Sequence, residues 1–360
     1  MTIKVDTVTD AAGTGAPNIP DGVTIAGTAL ASVSQLEYTS SASEPSSPSN
    51  GALWWDSANE LFKMYVNDAW YEVDYTNIPK PYGDRGVFSG GSYGVGLDTI
   101  DYVTISSTGN ATDFGDLPTA RSNAAGCSNG TLGLIGAGRQ YSPAIDLSSV
   151  EYITFATPSN ASSMAALTVA RNLLASCSDV TRGLFAGGRV GVTAVNTIDY
   201  VTIATSSTAA DFGDLTQATR SFAGCSDNVR GVFGGDRTTT NRIDYVTIQT
   251  TGNAADFGDL TVGRYDLGAC ADDVRGVFAG GRNGSNVIDY VTIATPSNAT
   301  DFGDLTFAQN TVAGCSNGVR GIFQGYLDGI DYVTIATPSN ATAFGDLTTN
   351  RVEAAACSGD

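Results

Sequence analysis

The sequence predicts an all-β protein whose larger part is a closed ring of six repeats, each built from four short strands. Three observations support this prediction: a hexapeptide recurs six times, its neighbours recur with it, and the first and last repeats are complementary fragments. Val, Ile, Thr, Tyr and Phe occur in short runs between Gly, Asn, Ser and Pro, as strands do between turns. No segment has the apolar spacing of a long amphipathic helix.

The repeat is centred on the hexapeptide Ile-Asp-Tyr-Val-Thr-Ile, whose second copy has diverged to Val-Glu-Tyr-Ile-Thr-Phe. In a strand, Ile, Tyr and Thr would face one side and Asp, Val and Ile the other. Successive copies are separated by about 45 residues. The copies are Ile100–Ile105, Val150–Phe155, Ile198–Ile203, Ile243–Ile248, Ile288–Ile293 and Ile330–Ile335.

Each hexapeptide has the same neighbours, which divide the repeat into four strands that we name a to d. Strand a ends near a Cys, strand b reads Arg-Gly-Val-Phe-x-Gly-Gly, strand c is the hexapeptide, and strand d ends in Asp-Phe-Gly-Asp-Leu. Four strands in about 45 residues are typical of one β-propeller blade. The b motifs are Arg85–Gly91, Leu132–Gly138, Arg182–Gly188, Arg230–Gly235, Arg275–Gly281 and Arg320–Gly325. The d motifs are Asp113–Leu117, Ser163–Leu167, Asp211–Leu215, Asp256–Leu260, Asp301–Leu305 and Ala343–Leu347.

The two ends of the repeat region complete each other. The region opens at Arg85 with a strand b that no strand a precedes, and Arg351–Asp360 form a strand a that no strand b follows. The C-terminal strand is therefore expected to complete the first blade and close the ring. An open array would instead leave exposed end sheets and need capping repeats.

The Gly pair of strand b and the Tyr of strand c resemble the kelch motif over residues 81–360. A standard kelch repeat carries Trp on strand d, where this chain carries Phe114, Phe212, Phe257, Phe302 and Phe344. The resemblance implies a six-bladed kelch-like β-propeller. It implies no particular activity, because one fold supports many functions.

The first 80 residues differ in composition and contain all three Trp and all three Lys. Residues 1–50 are predicted to be an attachment and linker segment, because they are rich in Gly, Ala, Ser and Pro. Residues 51–80 are predicted to be a small β-hairpin module. Its aromatic core is expected to contain Trp54, Trp55, Trp70 and Tyr71.

The N-terminal segment resembles the N-terminal parts of bacteriophage tail-fibre and other virion proteins. The resemblance lies in Thr-Ile-Lys-Val-Asp-Thr, Gly-Ala-Pro-Asn-Ile-Pro-Asp-Gly-Val-Thr and the Gly-Ala-Leu-Trp-Trp-Asp…Ala-Trp-Tyr-Glu-Val hairpin. It implies a virion component, assembled in the host cytoplasm, that contacts other virion proteins through residues 1–80 and forms a homotrimer there. The alternative is a flexible leader followed by a small β-module.

Composition argues against several classes of function. The net charge is −19 and Lys is absent after Lys80, which disfavours binding to nucleic-acid phosphates. The chain has no His, the usual general base and commonest metal ligand. No apolar run is long enough to span a membrane, and no signal-peptide apolar region follows Met1. We therefore expect a non-enzymatic protein without cofactor, metal or membrane insertion.

Three short motifs suggest functions that their context disfavours. Asp-Phe-Gly occurs in four repeats without the other kinase motifs, so it is interpreted as a strand-d packing motif. Paired acids such as Asp113 and Asp116 lack the ligand spacing of a calcium loop, and the sialidase Asp box is absent. The sequons at Asn110, Asn160, Asn298 and Asn340 recur at the c–d turn, where Asn suits the backbone.

All six Cys occupy one repeat position near the end of strand a: Cys127, Cys177, Cys225, Cys270, Cys315 and Cys357. In a closed propeller this strand lines the axis, so equivalent residues form a ring and lie too far apart for disulfides. We expect a structural ring of reduced, apolar thiols. A metal–thiolate ring is the alternative, although zinc would require four converging ligands.

The copies differ most in the loop between strands b and c, which shortens from ten residues at Gln140–Ser149 to four at Tyr326–Gly329. Divergent loops on a regular scaffold are typical of a binding surface, although neutral drift would also produce them. The candidate binding residues are Tyr93, Tyr141, Tyr326, Arg189, Arg237 and Arg282. The d–a connections add Arg121, Arg171, Arg220, Arg264 and Arg351, for which a structural role is the alternative.

Four functions are compatible with these patterns. The first is a phage tail-fibre or receptor-binding component that docks a host-surface glycan or protein. The second is a capsid decoration or tail-docking protein, and the third is a cellular protein-interaction propeller. An enzyme acting on polysaccharide is the fourth, which the missing His and the absence of a singular carboxylate cluster disfavour.

Overall fold

A computed structural model describes residues 80–360 apart from 206, 207, 239, 283 and 284. Within residues 1–79 it describes the nine strands given below together with 43, 45–48 and 52. The chain divides into two compact units, Met1–Pro79 and Lys80–Asp360. The described residues contain no helix, and therefore none that could cross a membrane.

The N-terminal unit contains a seven-stranded sheet in the order β5-β4-β1-β9-β8-β7-β6, and a separate β2-β3 pair. Trp54 is buried, and its ring meets the Trp70 ring edge-on with 5.4 Å between centroids. The side chains of Trp55 and Tyr71 lie outside the described residues. The strands are β1 (Ile3–Val5), β2 (Thr9–Asp10), β3 (Pro17–Asn18), β4 (Val23–Ile25), β5 (Thr28–Ala29), β6 (Tyr38–Ser41), β7 (Leu53–Asp56), β8 (Leu61–Val66) and β9 (Ala69–Asp74).

The second unit is a six-bladed β-propeller, as the repeats predict, and each blade is an antiparallel sheet of strands a to d. Blades 1 and 2 use β10 (Arg85–Ser89), β11 (Thr99–Thr104), β12 (Thr112–Asp116), β13 (Ala125–Ser128), β14 (Leu132–Gly136), β15 (Arg139–Tyr141), β16 (Ala144–Asp146), β17 (Ser149–Thr154) and β18 (Ser162–Ala166). Blades 3 and 4 use β19 (Ala175–Ser178), β20 (Arg182–Ala186), β21 (Arg189–Val190), β22 (Thr193–Thr202), β23 (Ala210–Thr219), β24 (Ala223–Ser226), β25 (Arg230–Gly234), β26 (Arg242–Thr247) and β27 (Ala255–Asp259). Blades 5 and 6 use β28 (Gly268–Ala271), β29 (Arg275–Ala279), β30 (Val287–Thr292), β31 (Thr300–Asp304), β32 (Ala313–Ser316), β33 (Arg320–Gln324), β34 (Gly329–Thr334) and β35 (Thr342–Asp346).

The last strand, β36 (Ala355–Gly359), closes the ring as predicted. It is strand a of blade 1 and pairs antiparallel with β10, so that Arg85 faces Gly359 and Ser89 faces Ala355. The two chain ends of the repeat region therefore share one sheet. Closure leaves no blade without a neighbour, which removes the need for capping repeats.

The apolar core lies between neighbouring blades. Val232 and Phe257 of blade 4, for example, share one buried cluster with Phe278 and Ile293 of blade 5. The strand motifs follow from this packing, because in five blades the strand-d Phe meets the strand-c Tyr edge-on at 5.8–6.1 Å. The Arg that begins strand b lies over the same Tyr ring in those five blades.

Strands a line the axial channel. From blade to blade, the second residue of strand a alternates between Gly and a residue with a small side chain. Blades 2, 4 and 6 carry Gly there, because a Cβ at Gly126, for example, would lie 2.5 Å from the Ala356 carbonyl oxygen. Blades 3, 5 and 1 carry small side chains. The alternating residues are Gly126, Ser176, Gly224, Ala269, Gly314 and Ala356. Three of the six blades therefore place a side chain at this position and three place none, which fits the narrow centre of a small propeller.

Candidate functional site

Two opposite faces follow from the antiparallel blades. We call the face formed by the b–c loops and d–a connections the top face, and the face formed by the a–b and c–d turns the bottom face. The b–c loops of the top face are residues 90–98, 137–148, 187–192, 235–241, 280–286 and 325–328. Its d–a connections are residues 117–124, 167–174, 220–222, 260–267, 305–312 and 347–354.

The Arg residues that recur in the d–a connections lie beneath the top face rather than on its surface. Four of them are fully buried and each bonds an acidic residue of strand c at 2.6–2.8 Å. Other guanidinium N–H groups donate to backbone carbonyl oxygens in or next to strand b, as Arg171 does to Phe185, whereas the Nε atoms of Arg171 and Arg351 are buried without a partner. The pairs are Arg121–Glu151, Arg171–Asp199, Arg264–Asp289 and Arg351–Asp101. Their geometry fits the structural role that the sequence left as the alternative.

Blade 4 departs from this arrangement. The chain from the Leu of the d motif to strand a has the same length as in the other blades, but Thr219 lies at the Arg position, and Arg220, one residue further along, instead bonds the Val192 carbonyl oxygen at 3.0 Å. Asp244 on strand c then pairs with Arg242 at 3.1 Å. The alignment of Arg220 with the other four Arg residues is therefore not reproduced in three dimensions.

Six residues with positive φ surround the top opening of the channel, which we call the channel mouth. Each directly precedes an apolar or small residue and strand a, and each has φ between 55° and 63° although none is Gly. Backbone hydrogen bonds join most of them in sequence, as Leu173 N–H does to Asn123. The six are Asn123, Leu173, Ser221, Asp266, Thr311 and Glu353. The backbone of the mouth repeats, whereas its side chains are all different.

One side of the channel mouth carries a polar network centred on Glu353. Its Oε2 accepts hydrogen bonds from Asn123 Nδ2 at 2.9 Å, Ser92 Oγ at 3.2 Å and Tyr141 Oη at 3.2 Å. The hydroxyl groups of Tyr141 and Ser122 are also 3.0 Å apart. Tyr141, a predicted binding residue, is thus held over the mouth while its side chain remains exposed.

The opposite side carries two more predicted binding residues. Arg282 Nε donates to Asp266 Oδ2 at 2.7 Å, and Arg237 lies over the Tyr265 ring, 4.7 Å from its centroid. Burial raises the pKa of Asp266, and the charges of Arg282 and Arg237 and the Ser221 hydroxyl oppose that shift. The site therefore combines a buried carboxylate with exposed guanidinium groups.

Blades 2 and 3 rise above the rest of the top face as two ribbons. In blade 2 the loop forms the β15–β16 hairpin, and in blade 3 β21 pairs with the extended start of β22. Asp146 joins the ribbons, because its carboxylate accepts from Arg139, Asn172 and the Gly191 backbone N–H. Arg189, predicted to bind a partner, donates instead to Asn172 Oδ1 at 3.0 Å and supports this junction.

Exposed apolar side chains concentrate on the top face. Tyr93 and Tyr326 are 57% and 53% exposed, in the short loops of blades 1 and 6. The other large apolar side chains exposed on this face are Val95, Tyr141, Ile145, Val169, Val190, Val192, Val262 and Phe307. Among the described residues, the bottom face exposes Val229, Val274 and Val319. Large patches of exposed apolar side chains often mark surfaces that bind a partner.

The bottom opening of the channel is crossed by residues 80–84. Tyr82 donates to Asp273 Oδ1 at 2.9 Å, and Lys80 Nζ lies 2.5 Å from Asp273 Oδ2. Ser128 donates to the Pro81 carbonyl oxygen, and Asn317 donates to Asp84. Residues 80–84 therefore tie blades 1, 2, 5 and 6 together on this face.

The six thiols point away from the channel into the interfaces between blades. Each lies against the Gly that follows the first residue of strand b in a neighbouring blade; at Gly231, a Cβ would overlap Cys177 Sγ. All six are free and buried, and burial raises the pKa of every one of them, that of Cys357 to about 12. The described residues contain no cluster of His, Cys, Asp or Glu that could hold a metal ion.

The sequence reasoning missed Ser221, Asp266 and Glu353, and the signal for them was present. They occupy the one repeat position next to strand a that differs in all six copies, although the following residues are apolar or small throughout. That position carries left-handed backbone at the channel mouth. Comparison with models of known protein families finds none that matches the chain, and a search of curated proteins finds no match either.

Proposed function

We propose that this protein is a non-enzymatic virion component, a phage tail-fibre or receptor-binding part whose kelch-like propeller docks a host partner through its top face. The observation that carries the proposal is the asymmetry of the propeller. The six blades share one packing scheme, while ten of the thirteen large apolar side chains exposed among the described residues lie on the top face. Neutral drift would vary the loops without concentrating apolar groups there.

The proposed attachment through residues 1–80, as a trimer with other virion proteins, rests on their resemblance to tail-fibre segments.

Particles purified from the source test this proposal. Antibody raised against residues 81–360 and detected by immunogold electron microscopy is expected to label the tail or its appendages. Label over the head would favour the second candidate, a capsid decoration protein. Absence of label from the particle would contradict the virion assignment and favour a cellular interaction propeller.

A further inference from the structure

Ser221 has an unsatisfied polar group at the channel mouth. The residue is 4% exposed, and its Oγ has no hydrogen-bond partner of acceptable geometry among the described residues. Leaving a buried hydroxyl unpaired costs about 1–3 kcal/mol. A group with that cost, lining a cavity that opens to solvent, is a candidate to bind whatever enters the cavity.

The neighbours of Ser221 offer both donors and acceptors. Asp266 adjoins it around the mouth, because Asp266 N–H donates to the Ser221 carbonyl oxygen at 2.8 Å. Asp266 Oδ2 accepts from Arg282 Nε, and the Ser221 hydroxyl group lies near the same carboxylate and favours its charged form. Arg282 uses only Nε for that bond, and its side chain is 43% exposed, so both Nη groups remain available.

This combination selects the charge of the ligand. An ammonium group would be repelled by Arg282, and a carboxylate or phosphate group would be repelled by Asp266 and Glu353. A hydroxyl group can donate to Asp266 Oδ1 and accept from Arg282 Nη at the same time. A ligand with a second, neighbouring hydroxyl group could also form a hydrogen bond with Ser221 Oγ.

The cavity has a volume of about 80 Å³ and opens to solvent between residues contributed by all six blades. It is smaller than most small-molecule sites, which occupy about 300–1,000 Å³, so it would take the edge of a sugar ring and not a whole ring. Exposed Tyr141 stands beside it, and aromatic rings combine an apolar face with a polar edge.

We propose that the channel mouth is a binding subsite for neutral carbohydrate, in which Asp266, Arg282 and Ser221 hydrogen-bond neighbouring sugar hydroxyl groups. The inference rests on the proposed function, since it names the class of partner that the top face takes. Glu353 and Tyr141 border the same subsite from the opposite side.

The test applies the full-length protein to an array of neutral, anionic and amine-bearing glycans, followed by calorimetric titration of the best neutral oligosaccharide. We expect binding to neutral glycans, weakened at least about tenfold by Asp266→Asn and by Arg282→Gln, since each leaves a polar contact unpaired. Asn tolerates positive φ, so Asp266→Asn keeps the backbone. Ser221→Ala should weaken binding about fivefold while raising the melting temperature, because it removes an unsatisfied hydroxyl.

Two variants serve as matched controls. Ser89→Ala removes another buried, unpaired hydroxyl group that does not line the cavity, and Asp98→Asn removes an exposed carboxylate on the same face. Neither should change glycan binding. Binding only to charged glycans, binding to none, or equal binding by the mouth variants and the controls would overturn the subsite.

Adsorption to host cells, measured in parallel, separates this inference from the proposed function. Normal adsorption by all three mouth variants would overturn the carbohydrate subsite and leave host attachment standing. Neutral-glycan binding that depends on the three mouth residues, in a protein that particles lack, would support the subsite and contradict the virion assignment.

Discussion

A ring of hydroxyl groups surrounds the channel and has a single gap. The Ser after each Cys donates to the main-chain carbonyl oxygen of the equivalent residue in the preceding blade, as Ser178 does to Ser128 at 2.6 Å. Five of these six links are made, and in one of them Ser128 shares its single hydroxyl proton between the carbonyl oxygens of Ser358 and Pro81. The sixth is missing because blade 5 carries Ala271, which has no hydroxyl to donate to the Ser226 carbonyl oxygen.

Completing this ring should stabilise the propeller. Ala271→Ser is expected to raise the free energy of unfolding by about 1 kcal/mol, the net value of one buried hydrogen bond. Ser316→Ala, which opens a second gap, should lower it by about 1 kcal/mol or more. Urea denaturation of the three proteins checks both changes, and an Ala271→Ser variant no more stable than the parent would contradict the ring's contribution.

The buried thiols make stability fall at alkaline pH. Burial raises their pKa values in the folded state, whereas a thiol in the unfolded chain has a pKa of about 8.5. The unfolded chain therefore loses protons first, so stability is complete below about pH 8.5 and is lost above it. Six thiols together give a slope of about −8 kcal/mol per pH unit.

The slope can be measured by urea denaturation between pH 8 and pH 10. Cys225→Ala should reduce it by about 1.4 kcal/mol per pH unit, the share of one thiol. A slope that does not depend on the number of Cys residues would show that other groups dominate the alkaline limb.

At the level of the strand, blade 6 shows how the buried Arg–acid pair can be replaced. Gln309 occupies the Arg position, and Gln324 ends strand b where the other blades have a small residue. Gln324 Nε2, which has two N–H groups, lies within hydrogen-bond distance of the carbonyl oxygens of Gly325, Leu327 and Arg351. Its Oε1 is buried without a partner, so the replacement is incomplete.

A single substitution tests this replacement. Gln309 Nε2 donates to Asp331 Oδ2 at 3.4 Å, and Gln309 Oε1 accepts from the Tyr326 backbone N–H at 2.9 Å. Gln309→Ala should lower the free energy of unfolding by about 1–3 kcal/mol, because it removes the partner of these polar groups. An unchanged free energy of unfolding in urea denaturation would contradict this role of Gln309.

The interface between blades 2 and 3 is the irregular one. Five blades carry the Arg at the start of strand b that donates to the end of strand c in the next blade, as Arg182 does to Ile248. Blade 2 has Leu132 there, and the c–d turn of blade 3 lacks the Asn that elsewhere bonds the neighbouring strand d. The top-face network around Asp146 joins these two blades and offsets the lost contacts.

At the scale of the whole molecule, the sequence predicts the structure correctly wherever the six repeats share one pattern. Number of blades, strand order and closure by β36 follow from repeated local patterns, and all three predictions are confirmed. Loop structure was not predictable, because the β15–β16 ribbon depends on bonds to Asn172 in the next blade rather than on its own residues. Arg220 lies one position after the buried Arg position, which Thr219 occupies here, so its side chain bonds the Val192 carbonyl oxygen instead.

The candidate site was predictable only in part. Tyr93, Tyr141 and Tyr326 are exposed on the top face where the loop argument places them, although their binding role stays a prediction. Asp266 and Glu353 lie in d–a connections, where the repeat pattern indicates only a turn. Their significance comes from the closed ring, which brings six distant turns around one axis.

Adsorption of the labelled protein to host cells tests the central claim, that the top face recognises the partner. Tyr93→Ala, Tyr141→Ala and Tyr326→Ala are combined in one variant, and Val229→Ala, Val274→Ala and Val319→Ala in a bottom-face variant that removes similarly exposed groups. We expect the top-face variant to lose at least about tenfold in affinity, because exposed aromatic anchors dominate binding surfaces, and the bottom-face variant to adsorb normally. Normal adsorption by the top-face variant, or loss confined to the bottom-face variant, would contradict the account.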